Sequence, residues 1–224
     1  MKRSTSRSNG PTWPRPTAPL DAPAIPVTVA GVLFNVPPAA IRAAVQRHPG
    51  AHERIDLVFL WPSLAPPQAA GEPSTGAVTG GDGEETPEVK IDDRVFVTIA
   101  GLGTGPGAVL PPQTRLRSIY PRYIEREATA GPEGLAVVAF RAGTPYEGED
   151  LVYLAERPEQ FFARCSRPAH AVPGTCIHER ALDSTEITFR FPREWLPQWR
   201  AVAAACDRLL AQIHSPNGRR TTDD

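Results

Sequence analysis

Two of the chain's three cysteines, Cys165 and Cys176, stand in FFARCSRPAHAVPGTCIHER with ten residues between them. Thiols so placed have three uses: a disulfide, a metal site or nucleophilic chemistry. The gap holds Pro168, Pro173 and Gly174, which predicts a strand, a turn-rich loop and a returning strand. Facing positions across such a hairpin meet the ~5.5–6 Å Cα separation of a disulfide. Closing a loop of about a dozen residues stabilises a fold by roughly 3 kcal/mol on the chain-entropy account. A zinc site would use Cys165, His170, Cys176 and His178. Their spacing, C-x4-H-x5-C-x-H, matches no usual finger or ribbon, although Cys176 and His178 share a face of an alternating strand. Neither cysteine has the helix N-terminus or histidine partner that lowers a thiol's pKa for catalysis. Cys206 falls on a helical apolar stripe, where it behaves as a small hydrophobe. One Cys165–Cys176 disulfide with a core Cys206 is the simplest account; a cytosolic zinc protein and reduced thiols are the alternatives.

The other polar groups assemble no known motif. Glu147, Glu149 and Asp150 cluster in PYEGEDL but lack the ligand spacing of a calcium loop. His48 and His52 flank Pro49 and Gly50, so they belong to an exposed turn. GTGPGA at 103–108 has the letters of a dinucleotide turn, yet Pro111 and Pro112 follow where a helix must begin. An enzyme would have to bring together separated groups, with His178, Glu179 and Glu149 as its members. The one basic–aromatic patch is Arg117, Tyr120, Arg122 and Tyr123, joined by Arg115 and Arg126. It is either a grip for an anionic polymer or acidic partner, or a solvated helix face with a buried tyrosine. No residue set requires a metal or cofactor.

The totals narrow the function classes. A net charge of −1 over 224 residues excludes a general nucleic-acid binder, which needs a dominant basic face. No apolar run approaches the ~18 residues of a membrane span. Residues 1–26 are basic and rich in serine, threonine and proline, without the apolar core of a secretory signal; they are expected to be a disordered leader. A disulfide implies an oxidising compartment, here the periplasm or cell envelope, with an anchor or signal lying upstream of this sequence. Reduced thiols would place the protein in the cytoplasm.

The elements that must position these groups follow from periodicity. VTVAGVLFNVP (27–37) predicts a bent strand or short hairpin at Gly31, and PPAAIRAAVQRH a two-turn helix. RIDLVFLWPSL is apolar on nearly both sides, which predicts an interior strand. Residues 65–92 lose all period and form a disordered excursion. Strands are expected at DRVFVTIAGL and GLAVVAF, on both sides of Pro158, and at 176–182 and 186–191; LRSIYPRYIERE gives a short helix interrupted at Pro121. Trp195, Trp199, Val202, Cys206, Leu209 and Ile213 step by four and three along one helical face, with Pro197 confined to the first turn. The expected fold is therefore α+β: mostly antiparallel sheet closed by a long amphipathic C-terminal helix. It forms one domain over 27–214, followed by a disordered tail at 215–224.

HERIDLVFLWPSL, PRYIE, GTPYEGEDLVYLAERPEQFFARC and PGTCIHER…ITFRFPREWLPQWRAVAAACDRLL together resemble an uncharacterised proteobacterial family of small membrane-anchored or exported proteins. The resemblance covers roughly residues 27–214 and departs from the family in lacking its short N-terminal transmembrane segment. It implies a cell-envelope protein and transfers no catalytic residue. The expectation is a non-catalytic envelope interaction or accessory domain, whose partner is an unknown protein or envelope polymer.

Overall fold

The computed structural model describes residues 23–67, 93–103, 105, 108–169 and 172–215. The 1–26 leader, the 65–92 excursion, the 215–224 tail and His170 thus lie wholly or largely outside the described residues. Strand β1 already begins at Ile25.

Alternating side chains dominate the chain, and the structure turns them into sheet. The strands are β1 (Ile25–Val29), β2 (Val32–Val36), β3 (Gly50–His52), β4 (Arg54–Leu60), β5 (Arg94–Gly101), β6 (Thr129–Ala130), β7 (Leu135–Ala139), β8 (Glu149–Leu154), β9 (Phe162–Ser166), β10 (Thr175–Leu182) and β11 (Thr185–Pro192). The last eight form one sheet in the order β4-β5-β11-β10-β9-β8-β7-β6, with every neighbouring pair antiparallel. β2-β1-β3 form a smaller sheet. Its β1–β2 hairpin turns on Ala30 and Gly31, both at positive φ, the conformation that a two-residue hairpin loop requires.

One face of the large sheet carries the main core. Ile55, Leu57 and Phe59 on β4, Val97 and Ile99 on β5, and Ile187 and Phe189 on β11 are all essentially inaccessible. The C-terminal helix, Trp199–Ile213, closes over this inner face after a 3-10 turn, Arg193–Gln198, that contains Pro197. All six residues of the expected stripe are buried. Phe161 meets Trp199 at 4.8 Å, and Trp61 meets Trp195 at 4.9 Å. Side chains of this size stabilise by about 1.5–3 kcal/mol each when fully removed from water, so the helix is the natural lid of the core.

Two expectations change. β4 is an edge strand of the large sheet, not an interior one. Its free edge is capped in the plane of the sheet: Ile41 bridges to Leu57, and the Arg42 N–H donates to the Asp56 carbonyl. That pairing also explains why PPAAIRAAVQRH is not a helix. Ile41 is extended, and two 3-10 turns, Pro38–Ala40 and Ala44–Gln46, lie on either side of it. Satisfying an exposed sheet edge outweighs the small helix preference of alanine.

Candidate functional site

The opposite, outer face of the sheet holds a second core under the expected patch. Pro112–Thr114, Arg115–Ile119 and Tyr120–Arg122 make consecutive helical turns of changing pitch. Leu116 and Tyr120 are four apart and point the same way. Both are buried with Val138, Phe140, Leu151 and Phe162. The segment is thus pinned to the sheet by its apolar side, while Arg117 and Arg122 stay exposed and Tyr123 is half-buried. Of the four patch residues, Tyr120 belongs to the interior: only 1% of it is accessible.

Tyr120 reaches a buried ionic chain. Its hydroxyl donates to Glu179 Oε2 at 2.9 Å. Arg115 approaches the same carboxylate at 3.3 Å and forks Glu186 with bonds of 2.5 and 3.2 Å. Arg164 lies 3.7 Å from Glu179 and 2.7 Å from Glu149. Its guanidinium stands over the rings of Tyr146 and Tyr120, at 5.1 and 5.9 Å from the centroids. Charges alternate along Glu186, Arg115, Glu179, Arg164 and Glu149, so each buried ion faces an opposite one, as burial demands. Burial, reinforced by the Glu179 charge, pushes the Tyr120 phenol well above its usual range. Tyr120 is a permanent donor here, not a base.

His178 and Glu179 are adjacent on β10 and therefore face opposite sides of the sheet. His178 lies on the inner face against Phe161 and Phe189. Its Nδ1 is 2.7 Å from the Phe162 carbonyl, which fixes the proton on that nitrogen, and Nε2 has no partner among the described residues. Desolvation, only partly offset by that hydrogen bond, lowers its pKa to about 4. Glu149 and Glu179 do converge, with Arg164 between them, but the His178–Glu179–Glu149 set does not form one site.

The acids of PYEGEDL disperse. Glu147 accepts from the Gly143 N–H, Glu149 from Arg164, and Asp150 from Arg167 and Arg193 at 2.8 and 2.6 Å. Arg193 also donates to the Cys165 and Ser166 carbonyls, tying the start of the closing helix to the cysteine hairpin. His48 and His52, across Pro49–Gly50, stack at 4.5 Å.

Cys165 and Cys176 are directly opposed on β9 and β10 and joined in a disulfide, with 4.0 Å between their Cα atoms. Direct opposition makes that distance shorter than expected. Sulfurs bonded to each other cannot serve as thiolate ligands, and among the described residues no three metal-ligating side chains cluster. Cys206 is a free, buried thiol whose pKa is raised by desolvation.

A cleft of about 300 Å³ opens beside the segment, lined by Leu116, Arg117, Pro121, Ile124, Tyr153 and Pro158 among others. A wider depression of about 850 Å³ lies by Glu125, Arg126, Glu127 and Arg141. Among the described residues no helix is long and apolar enough to cross a membrane. Sequence periodicity missed the ionic chain because its members are far apart in sequence and meet only when the helical segment packs on neighbouring strands. The one available signal was the four-residue step between Leu116 and Tyr120, which turns the tyrosine inward.

No family model matches the chain, and no curated protein matches it. Among solved structures, it is similar to Smlt3025, an immunity protein of the Stenotrophomonas maltophilia type IV secretion system. The two are 15% identical with a TM-score of 0.55, covering 86% of this chain and 94% of that one. It is also matched to FrpD, an iron-regulated outer membrane lipoprotein of Neisseria meningitidis, at 7% identity and a TM-score of 0.43, covering 90% and 95%; that likeness is too distant to carry an argument. What the chain shares with Smlt3025 is its fold.

Proposed function

We propose that this chain is a non-catalytic binding protein of the periplasm or cell envelope that neutralises a harmful secreted protein by holding it in a complex. The carrying observation is that its candidate catalytic groups are committed to the fold. Glu179 is enclosed by Arg115 and Arg164, and Glu149 is paired with Arg164. His178 is sealed in the inner core. Such groups specify a rigid scaffold and leave its surface to recognise a partner. The disulfide supports an oxidising compartment. The fold shared with an immunity protein supports a protein as the partner.

Capture on the immobilised oxidised chain from the proteins that its native host secretes, followed by titration calorimetry against the protein retained, tests the reading. The expected result is a saturable one-to-one complex with a Kd of about 1 μM or below, equivalent to ~8 kcal/mol. Absence of heat and of co-elution at micromolar concentrations of both proteins would refute it.

A further inference from the structure

The helical segment leaves one end of the outer face uncovered, and there Phe96 on β5 stands partly exposed. Three arginines surround it. Exposed Arg42 lies over its ring, 4.8 Å from the centroid. Arg190 on β11 is its directly opposed cross-strand partner. Arg94 is two residues away on β5 and so on the same side of the sheet. Arg94, Phe96 and Arg190, with Pro173 and Pro192, line a depression of about 160 Å³.

None of these arginines makes an ion pair among the described residues. Arg94 Nε is buried and has no hydrogen-bond partner among the described residues. Asp56, on the same side of neighbouring β4, is already forked by Arg54. Like charges on adjacent strand positions repel, and an unpaired buried donor carries a desolvation cost. The fold maintains this local positive field although the whole chain carries a net charge of −1. Carboxylates brought by a partner would relieve both penalties.

We propose that this face docks an acidic segment of the protein partner. Its carboxylates pair with Arg42, Arg94 and Arg190, and one apolar or aromatic side chain seats against Phe96. The inference rests on the protein-binding reading above and names the surface used. A depression sized for a single side chain and walled by phenylalanine and proline suits a peptide; a uniform polyanion makes no use of it.

The test is fluorescence anisotropy with labelled acetyl-Glu-Glu-Phe-Glu-Glu-amide, its Lys-Lys-Phe-Lys-Lys counterpart and inorganic polyphosphate. The acidic peptide is expected to bind, and to weaken as salt rises. The Arg94→Glu/Arg190→Glu variant, checked by circular dichroism to be folded, should lose about tenfold or more in affinity. Arg208→Glu, on the exposed side of the closing helix, should lose none. The inference is overturned by absence of acidic-peptide binding, by equal binding of the basic peptide or of polyphosphate, or by unchanged affinity in the double variant. It is also overturned if binding appears only once Glu72, Asp82, Glu84, Glu85 and Glu88 are changed to Gln, since this chain then occupies its own surface. Applying the double variant to the secreted partner separates the two proposals. Undiminished binding there sinks the docking surface alone, whereas a wild-type chain that binds no secreted partner sinks the protein-binding reading.

Discussion

Tyr120 and Glu179, 59 residues apart in the chain, meet in a 2.9 Å hydrogen bond that fastens the helical segment to the sheet. Tyr120 arrives with its ring in an aromatic nest, edge-on to both Phe140 and Tyr146. Glu179 arrives with arginines on two sides. Tyr120→Phe keeps the ring and removes only the donor, with an expected cost of about 2 kcal/mol. Glu179→Gln leaves Arg115 and Arg164 facing a neutral group and should cost about 3 kcal/mol or more. Urea unfolding of the two single variants and the double variant measures their coupling; strictly additive losses would show that the bond does not lock the segment.

His178 gives the protein an acid limit of definite sign. In the unfolded chain the imidazole takes a proton below its ordinary value of 6.5, whereas in the fold it resists protonation down to about 4. The unfolded state therefore binds more protons between those values. The contribution of His178 is full above pH 6.5 and lost as the pH falls toward 4, by about 3 kcal/mol in all. His178→Phe should flatten this part of the stability profile, read as the difference between variant and wild type in denaturant titrations from pH 7 to 4. An unchanged slope would show that His178 is hydrated in the fold.

The thiols should respond in three stages. Cys206 is buried and its thiol is held protonated, so the native protein should take no alkylating label. Unfolding without reductant should expose one thiol, and unfolding with reductant three, as read by intact mass. Removing the bond by Cys165→Ala/Cys176→Ala should cost about 3 kcal/mol. Three labels before reduction, in protein from its native host, would place the chain in a reducing compartment.

Gly174 marks the tightest backbone approach in the cysteine hairpin. A Cβ there would lie 2.5 Å from the Ser166 carbonyl oxygen and 3.0 Å from the Arg193 side chain. Gly174→Ala should force the hairpin away from Arg193 and lower stability by about 2 kcal/mol, measured by thermal unfolding. A neutral result would show that the hairpin has room to shift.

Periodicity revealed the elements far better than it revealed the contacts between them. The stripe from Trp195 to Ile213, the alternation of Ile187, Phe189 and Phe191, and the facing cysteines were legible because each is a local pattern with a fixed repeat. β4 was misplaced because apolar residues on both sides report that the two faces are covered and carry no information on whether a strand or a single bridge at Ile41 lies along its edge. The prolines and alanines of residues 37–48 predicted a helix, but hydrogen bonding to the β4 edge decided the backbone. Of the two readings of the patch, a solvated helix face with a buried tyrosine is the one that exposed Arg117 and Arg122 and buried Tyr120 match. The pairing of Arg115 with Glu186, 71 residues away, has no local trace. Nor does the gathering of Arg42, Arg94 and Arg190 at Phe96, since successive members stand 52 and 96 residues apart in the chain.

Protection of living cells tests the central claim most directly. Bacteria challenged with the proteins that the native host secretes would express the chain either fused to a cleavable export signal or retained in the cytoplasm. Rescue of growth by the exported form alone, with the disulfide formed, is the result the account predicts. No rescue by an abundant, oxidised, exported chain would contradict it.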